Sequence, residues 1–308
     1  MISRINELKN MSFGPDIICV APASRFESDD PIFKILPEVK SVVCLAYRVL
    51  RGTHRGIEEG TSYHHYTTMA IEVLEETVMP MMALRCARVI EEEGYVALPQ
   101  RKTQVIMQES DSTNPEMLYN KIYRNKKAEY QMNFVDAAAK CGLGEIGLSG
   151  TLLTDDFGPL QRYCFVLTDA EIEPTPEYTP HICDNCGECL KACPGKAIKN
   201  KTKDPWQCAA YYAGANMSKN PFMSTHALPD MPDRLAILNG EKELSSEESR
   251  KVMDEISYYP PIMHGYISSI CGNACDRACY VHLEEKGVLK KKFENKFRKR
   301  DEWVLDVK

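Results

Sequence analysis

Short apolar runs alternate with polar stretches along the first half of the chain, and they predict a mixture of helices and strands. The helical spacing of Ile2, Ile5, Leu8 and Met11 predicts a short N-terminal helix. The β-branched, apolar run Val39–Tyr47 predicts a buried central strand. Further strands are predicted at Ile17–Ala21, Gly94–Leu98, Leu152–Leu153 and Tyr163–Thr168. Together these elements predict an α/β domain over about residues 1–175.

A long helix is predicted over Thr67–Glu93, which is rich in Ala, Leu, Met and Glu. Pro80 is expected to kink or divide it, because proline removes a helical hydrogen bond and clashes with the preceding turn. The polar stretch Arg51–Gly60 carries three glycines and predicts a loop. A second helix is expected at Asn133–Cys141, closed by Gly142.

Two tyrosines flank two histidines where this loop meets the long helix, at Tyr63, His64, His65 and Tyr66. These residues either line a metal or cofactor pocket or form a polar helix start. Adjacent helical residues point in different directions, so a single site that uses both histidines is disfavoured. Both interpretations stay open.

Four glycines crowd the stretch Gly142–Gly150, which indicates backbone that runs close against something. Gly142, Gly144 and Gly147 match the spacing of the dinucleotide fingerprint G-x-G-x-x-G. That fingerprint requires a strand before it and a helix after it, whereas here a helix precedes and a strand follows. A Rossmann site is therefore disfavoured.

The polar and charged segment Arg101–Tyr130 is either a lid over a pocket or a solvated helical insertion. Its residues Tyr119, Tyr123 and Tyr130 are candidate proton donors, and Arg124 is available to lower a tyrosine pKa. Tyrosines in such a segment also serve as packing residues, and that interpretation stays open.

A dense run of cysteines carries the strongest chemical signal in the chain. Cys183, Cys186, Cys189 and Cys193 are spaced two, two and three residues apart, with Pro194 directly after the last. This is the bacterial ferredoxin run C-x2-C-x2-C-x3-C-P, whose last cysteine ligates the other cluster in two-cluster proteins. The ligands that two 4Fe–4S clusters still need are present downstream, at Cys208, Cys271, Cys275 and Cys279.

Two other uses of these cysteines are weaker explanations. A structural zinc site is usually built from two separated pairs and not from a dense run of four. A disulfide framework is disfavoured by the size of the chain and by an N-terminus that has no apolar signal region. Cys19 and Cys44 lie on predicted strands and are expected to be small buried hydrophobic residues.

Charge and composition limit the partners and the cellular location that we expect for this protein. The formal net charge of -6 argues against nonspecific nucleic-acid binding, and the longest apolar runs are too short to span a bilayer. We therefore expect a cytoplasmic protein without a membrane partner. The proline-rich stretch Pro174–Pro180 predicts a linker into a ferredoxin-like domain over residues 176–285, and residues 286–308 predict a C-terminal helix and tail.

Three stretches resemble the superfamily of epoxyqueuosine reductases and reductive dehalogenases. They are the glycine-rich segment at residues 141–169, the cysteine run with the later WQCAAY, and the closing CGNACDRAC. The resemblance implies an α+β fold, in which an α/β-sandwich, nitroreductase-like cobalamin-binding domain precedes a ferredoxin-like module. It assigns four cysteines to each 4Fe–4S cluster: Cys183, Cys186, Cys189 and Cys279 to one, and Cys193, Cys208, Cys271 and Cys275 to the other.

The same resemblance implies a bound cobalamin, which the glycine-rich loop and the Tyr63–Tyr66 motif would contact. The loop residues concerned are Gly144, Glu145, Ile146, Gly147, Leu148, Ser149 and Gly150. Two departures disfavour epoxyqueuosine as the substrate. No Asp stands near Ala128, where epoxyqueuosine reductases carry a catalytic one, and the last cysteines are spaced C-x3-C-x3-C without a following Pro.

The function implied is an iron–sulfur oxidoreductase. An external low-potential donor of ferredoxin or flavodoxin type would load one cluster, and the other would pass electrons to cobalamin, which reduces a small organic substrate. An alternative is an electron-transfer protein that reactivates the corrinoid of a partner protein. A third is that the corrinoid pocket is vestigial or holds a flavin.

Overall fold

The computed structural model describes residues 2–102, 131–256, 269–297 and Lys299. These residues form a mixed fold of helices and strands that divides into two compact units. The first unit takes its described residues from Met1–Tyr47, Glu75–Leu143 and Tyr163–Tyr178. The second takes its own from Arg48–Leu74, Gly144–Arg162 and Thr179–Lys308. Domain boundaries at residues 175 and 285 remain predictions.

A four-stranded sheet forms the centre of the first unit, with strand order β1-β2-β6-β3. Its strands are β1 (Ile17–Pro22), β2 (Ser41–Arg48), β3 (Ala97–Gln100) and β6 (Gln161–Thr168), of which residues 163–168 belong to this unit. β1 pairs antiparallel with β2, and β3 pairs antiparallel with β6. Residues 41–47 of β2 are all buried, which confirms the predicted central strand.

Helices of different lengths precede, separate and follow these strands along the chain. They are α1 (Ile2–Asn6), α2 (Ile32–Ile35), α4 (Met79–Glu91) and α5 (Phe134–Lys140). Asn133 caps α5, because its side-chain oxygen accepts the N–H groups of Val135 and Asp136 at 3.1 and 3.2 Å. The predicted long helix is divided: Tyr66–Val78 is π-helical, and α4 begins one residue before Pro80.

Two sequence expectations about local structure are wrong, and a third remains a prediction. The predicted loop Arg51–Gly60 contains a 3-10 turn and α3 (Arg55–Glu59), where an ion pair of 2.9 Å joins the two end residues. Strand β3 begins later than predicted and includes Pro99, which an edge strand tolerates because it need not donate there. A helix was expected in residues 286–308, but residues 286–297, the continuous described part, hold only turns and bends.

The second unit consists of short helices joined by two small hairpins. The hairpins pair β4 (Glu145–Ile146) with β5 (Leu152–Leu153), and β7 (Ile198–Lys199) with β8 (Thr202–Lys203). The helices after residue 180 are α6 (Glu188–Ala192), α7 (Pro205–Ala213), α8 (Arg234–Leu238), α9 (Ser246–Ile256) and α10 (Ala274–Glu285). Apolar side chains of α7, α8 and α9 form one core, and α10 packs against α6.

No helix in the part of the chain that the structure describes combines the length and the apolar character needed to cross a bilayer. The glycine-rich loop Gly142–Gly150 follows α5, contains the two residues of β4 and leads into β5, so a helix precedes it and a strand follows it. This confirms the element order that disfavoured a Rossmann site.

Candidate metal centre

Four cysteine side chains line a cavity that we call the first cysteine cavity: Cys183, Cys186, Cys189 and Cys279. Three of them come from the cysteine run, and Cys279 is contributed by α10. The chain turns sharply within the run at Asn185, which adopts a left-handed conformation with φ of 59°. The packing of α10 on α6 brings Cys279 to the other three.

Glu145 in the glycine-rich loop holds the start of the cysteine run. Its carboxylate oxygen Oε1 accepts the N–H groups of His181 and Cys183, each at 3.0 Å, and also that of Ile182. The N–H of Leu148 donates to the sulfur of Cys183 at 3.3 Å. The loop thus positions the first cysteine cavity, and the sequence analysis did not anticipate this role for Glu145.

Four other cysteines line the second cysteine cavity: Cys193, Cys208, Cys271 and Cys275. Each of these cysteines lies in a different place: at the end of α6, in α7, just before α10, and in its first turn.

Local hydrogen bonds orient the thiols of the second cavity. The N–H of Ala197 donates to the sulfur of Cys193 at 3.2 Å, and that of Ala274 to the sulfur of Cys271 at 3.4 Å. The Tyr212 carbonyl, at the end of α7, accepts the N–H of Ile270 at 3.0 Å, which ties the segment before α10 to the helix that carries Cys208. Backbone donors aimed at sulfur stabilise thiolate.

The thiols are crowded and partly desolvated. Burial, followed by the nearby Cys271 sulfur, raises the pKa of Cys208 to about 12. Burial also raises the pKa of Cys275 and Cys279 well above the ordinary thiol value. Several thiolates so close together repel one another, and a bound cation removes that repulsion. Four soft donors at each cavity are the ligand set that iron–sulfur clusters take.

The second cavity is flanked by buried charges. Lys203 of β8 reaches the Asp276 carboxylate at 3.5 Å and the Thr151 hydroxyl at 2.8 Å. Beside them, Arg277 forms an ion pair of 3.0 Å with Glu58, and both side chains are less than 10% exposed. These groups come from four separate segments, so no local sequence pattern predicts their contact.

Three charged or polar groups meet at the rim of the first cavity. Asp184 contacts His282 Nε2 at 3.0 Å and also pairs with Lys286. The Lys286 ammonium, followed by His282, holds the pKa of Asp184 well below its usual range. Ligand atoms of Asp184, Cys186 and His282 lie within 4.8 Å of one another. Cys186 is the exposed cysteine of this cavity.

The remaining five cysteines are buried in the first unit: Cys19, Cys44, Cys86, Cys141 and Cys164. This confirms the expectation that Cys19 and Cys44 are small hydrophobic residues. Burial raises the pKa of Cys19 to about 11 and that of Cys86 to about 12, so these thiols stay protonated at neutral pH. All eight predicted ligands belong to the second unit, separated from these five.

The predicted corrinoid contacts are placed as follows. Tyr63 and Tyr66 are buried, whereas His64 and His65 are exposed and share the Ser62 hydroxyl. The Tyr66 hydroxyl accepts from Arg162 at 2.9 Å. The histidines therefore face outward at a helix start, and the tyrosines pack inward.

The glycine-rich loop closes against the chain itself. A Cβ on Gly144 would stand 1.9 Å from the Leu153 carbonyl oxygen, and one on Gly150 would stand 2.8 Å from that of Lys201. Gly150 also has a φ of 71°. Gly147, Leu148 and Ser149 line the first cysteine cavity, while Ile146 pairs with Leu152. The candidates Tyr119, Tyr123, Arg124 and Tyr130 lie outside the described residues.

Comparison with known proteins gives relatives in two enzyme groups. No family model matches the chain. A tetrachloroethene reductive dehalogenase of Desulfitobacterium hafniense is 40% identical over 74 residues, which are 23% of this chain and 13% of the relative. An epoxyqueuosine reductase of Synechocystis sp. is 30% identical over 83 residues, 27% of this chain and 28% of the relative. The chain is thus similar to reductases of both groups, and it spans less than a third of the length of either relative.

Solved structures of proteins from these two groups overlap this chain only loosely. An epoxyqueuosine reductase from Streptococcus thermophilus has a TM-score of 0.46 at 13% identity and covers 91% of this chain and 80% of its own. A catabolic reductive dehalogenase has a TM-score of 0.47 at 16% identity and covers 80% of this chain and 32% of its own. Because these structures overlap the chain so loosely, no residue's role is inferred from them.

Proposed function

We propose that the chain is an iron–sulfur reductase that holds two 4Fe–4S clusters. Cys183, Cys186, Cys189 and Cys279 would hold one cluster at the first cavity, and Cys193, Cys208, Cys271 and Cys275 would hold the other at the second. One observation carries the proposal: the eight cysteines of the second unit divide four and four between two cavities. Four thiolates are the complement that each cluster requires.

The two cavities share two helices, which supports a short path for electrons. α6 carries Cys189 and ends at Cys193, so it serves both cavities. α10 does the same with Cys275 and Cys279, which are separated by about 6 Å along a helix axis. Electrons would therefore cross between neighbouring clusters without a further carrier.

Exposure of the sulfurs gives the transfer a direction. Cys186 at the first cavity is exposed, whereas the cysteines of the second cavity are buried or partly buried. An external low-potential donor of ferredoxin or flavodoxin type would approach the first cluster, and the second would pass electrons onward. Clusters supply one-electron transfer, and the chain supplies thiolates, backbone donors and burial.

Cobalamin would be the group that reduces the organic substrate, and relatives support it: one reductive dehalogenase structure is described as suggesting B12-dependent dehalogenation. The described residues do not form a cradle for it. The chain's own backbone occupies the space beside Gly144 and Gly150, and Tyr63 and Tyr66 are buried. The corrinoid therefore rests on the relatives alone.

A second function fits the same observation. A chain with two clusters, an exposed ligand and no corrinoid cradle among its described residues would serve as an electron-transfer protein that reduces the corrinoid of a partner. In that case the clusters and the direction of transfer are unchanged, and the organic substrate belongs to the partner.

Metal analysis separates these functions. The protein is produced anaerobically, incubated with hydroxocobalamin, desalted, and assayed for iron, sulfide and cobalt together with its absorption spectrum. We expect about eight iron atoms per chain, the content of two 4Fe–4S clusters. Retained cobalt supports the corrinoid reductase, and its absence with full iron supports the electron-transfer protein. Zinc in place of iron overturns both.

A further inference from the structure

A lysine ammonium lies at the edge of the second cysteine cavity. Lys203 ends β8 and lines the cavity with Cys208 and Cys275. Its Nζ donates to the Thr151 hydroxyl at 2.8 Å, and its side chain is 25% exposed. The Asp276 carboxylate lies 3.5 Å from this ammonium, and a lysine is ordinarily protonated at neutral pH. The side chain therefore carries a positive charge beside the thiols.

A carboxylate opposes this charge at the same cavity. Asp276 is 4% exposed, and its Oδ1 lies 3.5 Å from Lys203 Nζ and 3.0 Å from the Thr151 hydroxyl, which donates to it. The Asn273 amide donates to its other oxygen at 2.9 Å. The Cys275 thiol lies 3.6 Å from Oδ1. A negative charge thus stands directly against one predicted ligand, and Lys203 neutralises it.

Stability alone gives a weak reason for such a pair. Removing two charges from water costs more than their attraction returns in many proteins, and apolar replacements are often as stable. An electrostatic effect on the neighbouring group gives a stronger reason. Adding an electron to an iron–sulfur cluster increases its negative charge, so a nearby cation raises the reduction potential and a nearby anion lowers it.

The first cavity has no comparable buried pair among the described residues that line it. The carboxylate that lines it, Asp184, pairs with Lys286, and both lie at the surface with 35% and 47% of their side chains exposed. Water and salt screen charges in such a position. The two cavities therefore differ in how strongly fixed charge acts on their contents.

We infer that Lys203 raises, and Asp276 lowers, the reduction potential of the cluster held by Cys193, Cys208, Cys271 and Cys275. This inference rests on the proposed function, because it requires the two clusters. Lys203 offsets the carboxylate that would otherwise make this cluster harder to reduce. Lys203 thereby prevents the carboxylate from opposing electron transfer from the first cluster to the second.

The test is a potentiometric titration followed by electron paramagnetic resonance on the reconstituted full chain. Lys203→Met is expected to shift the potential of one cluster downward, and Asp276→Asn to shift the potential of the same cluster upward. The double variant is expected to return close to the wild type, and Lys203→Arg to keep the wild-type value. Lys199 lies on the same hairpin as Lys203, is exposed and pairs with Glu243. Lys199→Met is the control and is expected to shift the potential of neither cluster.

Three results would overturn the inference. They are unchanged potentials in both single variants, equal shifts of both clusters, or a shift in Lys199→Met as large as that in Lys203→Met. If Lys203→Met fails to assemble the second cluster, Asp276→Asn and Lys203→Arg still decide the question, because both keep the size of the side chain. Failure of the wild type to bind about eight irons would instead refute the proposed function.

Discussion

The first and second cysteine cavities each contain four thiols, but the chain brings those thiols together in different ways. Three ligands of the first lie within Cys183–Cys189, and only Cys279 is distant in sequence. The ligands of the second come from three separate segments: the end of α6, α7, and the start of α10 with the residues before it. A local motif therefore nearly completes one cavity, whereas the other exists only once the second unit has folded.

The surroundings of the two cavities differ as much as their ligands. The first has an exposed cysteine, Cys186, and an exposed ion pair at its rim. The second is flanked by the Lys203–Asp276 contact and by a buried pair between Arg277 and Glu58. The comparison indicates that the first cavity suits exchange with a partner, and that the second suits control by fixed charges.

Loss of one cluster at a time is the largest expected effect. Cys189→Ser and Cys275→Ser each remove one soft ligand from one cavity, and each is expected to lower the iron content from about eight to about four per chain. Cys86→Ala, in a buried cysteine of the first unit, is the control and is expected to keep the iron. Anaerobic iron and sulfide assays measure the change. If either ligand variant loses all iron, the two sites are not independent.

Arg277→Met should cause the next largest change. It leaves Glu58 in a buried position without its guanidinium partner at 3.0 Å, and it removes the bond of 3.1 Å to the Cys271 carbonyl. We expect a loss of about 3–5 kcal/mol in the free energy of unfolding, measured with denaturant under anaerobic conditions. Arg55→Met breaks the exposed pair with Glu59 and is expected to cost about 1 kcal/mol or less. Equal losses would contradict the role of burial.

His54 should make stability depend on pH. It is fully buried and stacks on Tyr66 at 4.4 Å. Burial, followed by Arg277, lowers its pKa from 6.5 to about 3. Below pH 6.5 the unfolded chain takes up a proton that the folded chain does not, so stability falls as the pH drops, by up to about 1.4 kcal/mol per pH unit.

The variant His54→Gln cannot titrate in this range and serves to isolate the effect. We expect the free energy of unfolding of the wild type to fall more steeply than that of the variant between pH 6.5 and 5. Above pH 7 the difference between the two proteins should be constant. Parallel curves over the whole range would show that the buried imidazole is not the source of the dependence.

Asp184→Asn should have the smallest effect. Its partners Lys286 and His282 lie at the surface, and the carboxylate itself is 35% exposed. Surface pairs of this kind contribute about 0.2–1 kcal/mol, so we expect a change within that range and full iron content. A loss as large as that of Arg277→Met would mean that the rims of the two cavities do not differ in the way described.

Sequence reasoning was strongest where chemistry is local. Spacing alone identified the cysteine run, because ligands a few residues apart must lie close together. The buried strand β2 and the capped helix α5 were likewise predicted from neighbouring residues. The pairs Lys203–Asp276 and Arg277–Glu58 were not predicted, because their members come from distant segments and no local pattern marks a buried charge.

One local prediction failed for a physical reason, and another remains a prediction. The glycines of Arg51–Gly60 suggested a loop, but the charged ends of α3 favour a helical turn there. The glycines at Gly144 and Gly150 suggested the approach of a cofactor, and in the structure the groups that approach them are backbone oxygens of the chain. A glycine reports close contact but does not identify the contacting group.

The order of the two units along the chain has a consequence for biosynthesis. All three stretches of the first unit end by Tyr178, before any of the eight ligand cysteines has left the ribosome. Both cysteine cavities take their last ligand from α10. Folding during synthesis proceeds from the N-terminus, so we expect the sheet to form first and iron to be inserted only after α10 has been synthesised.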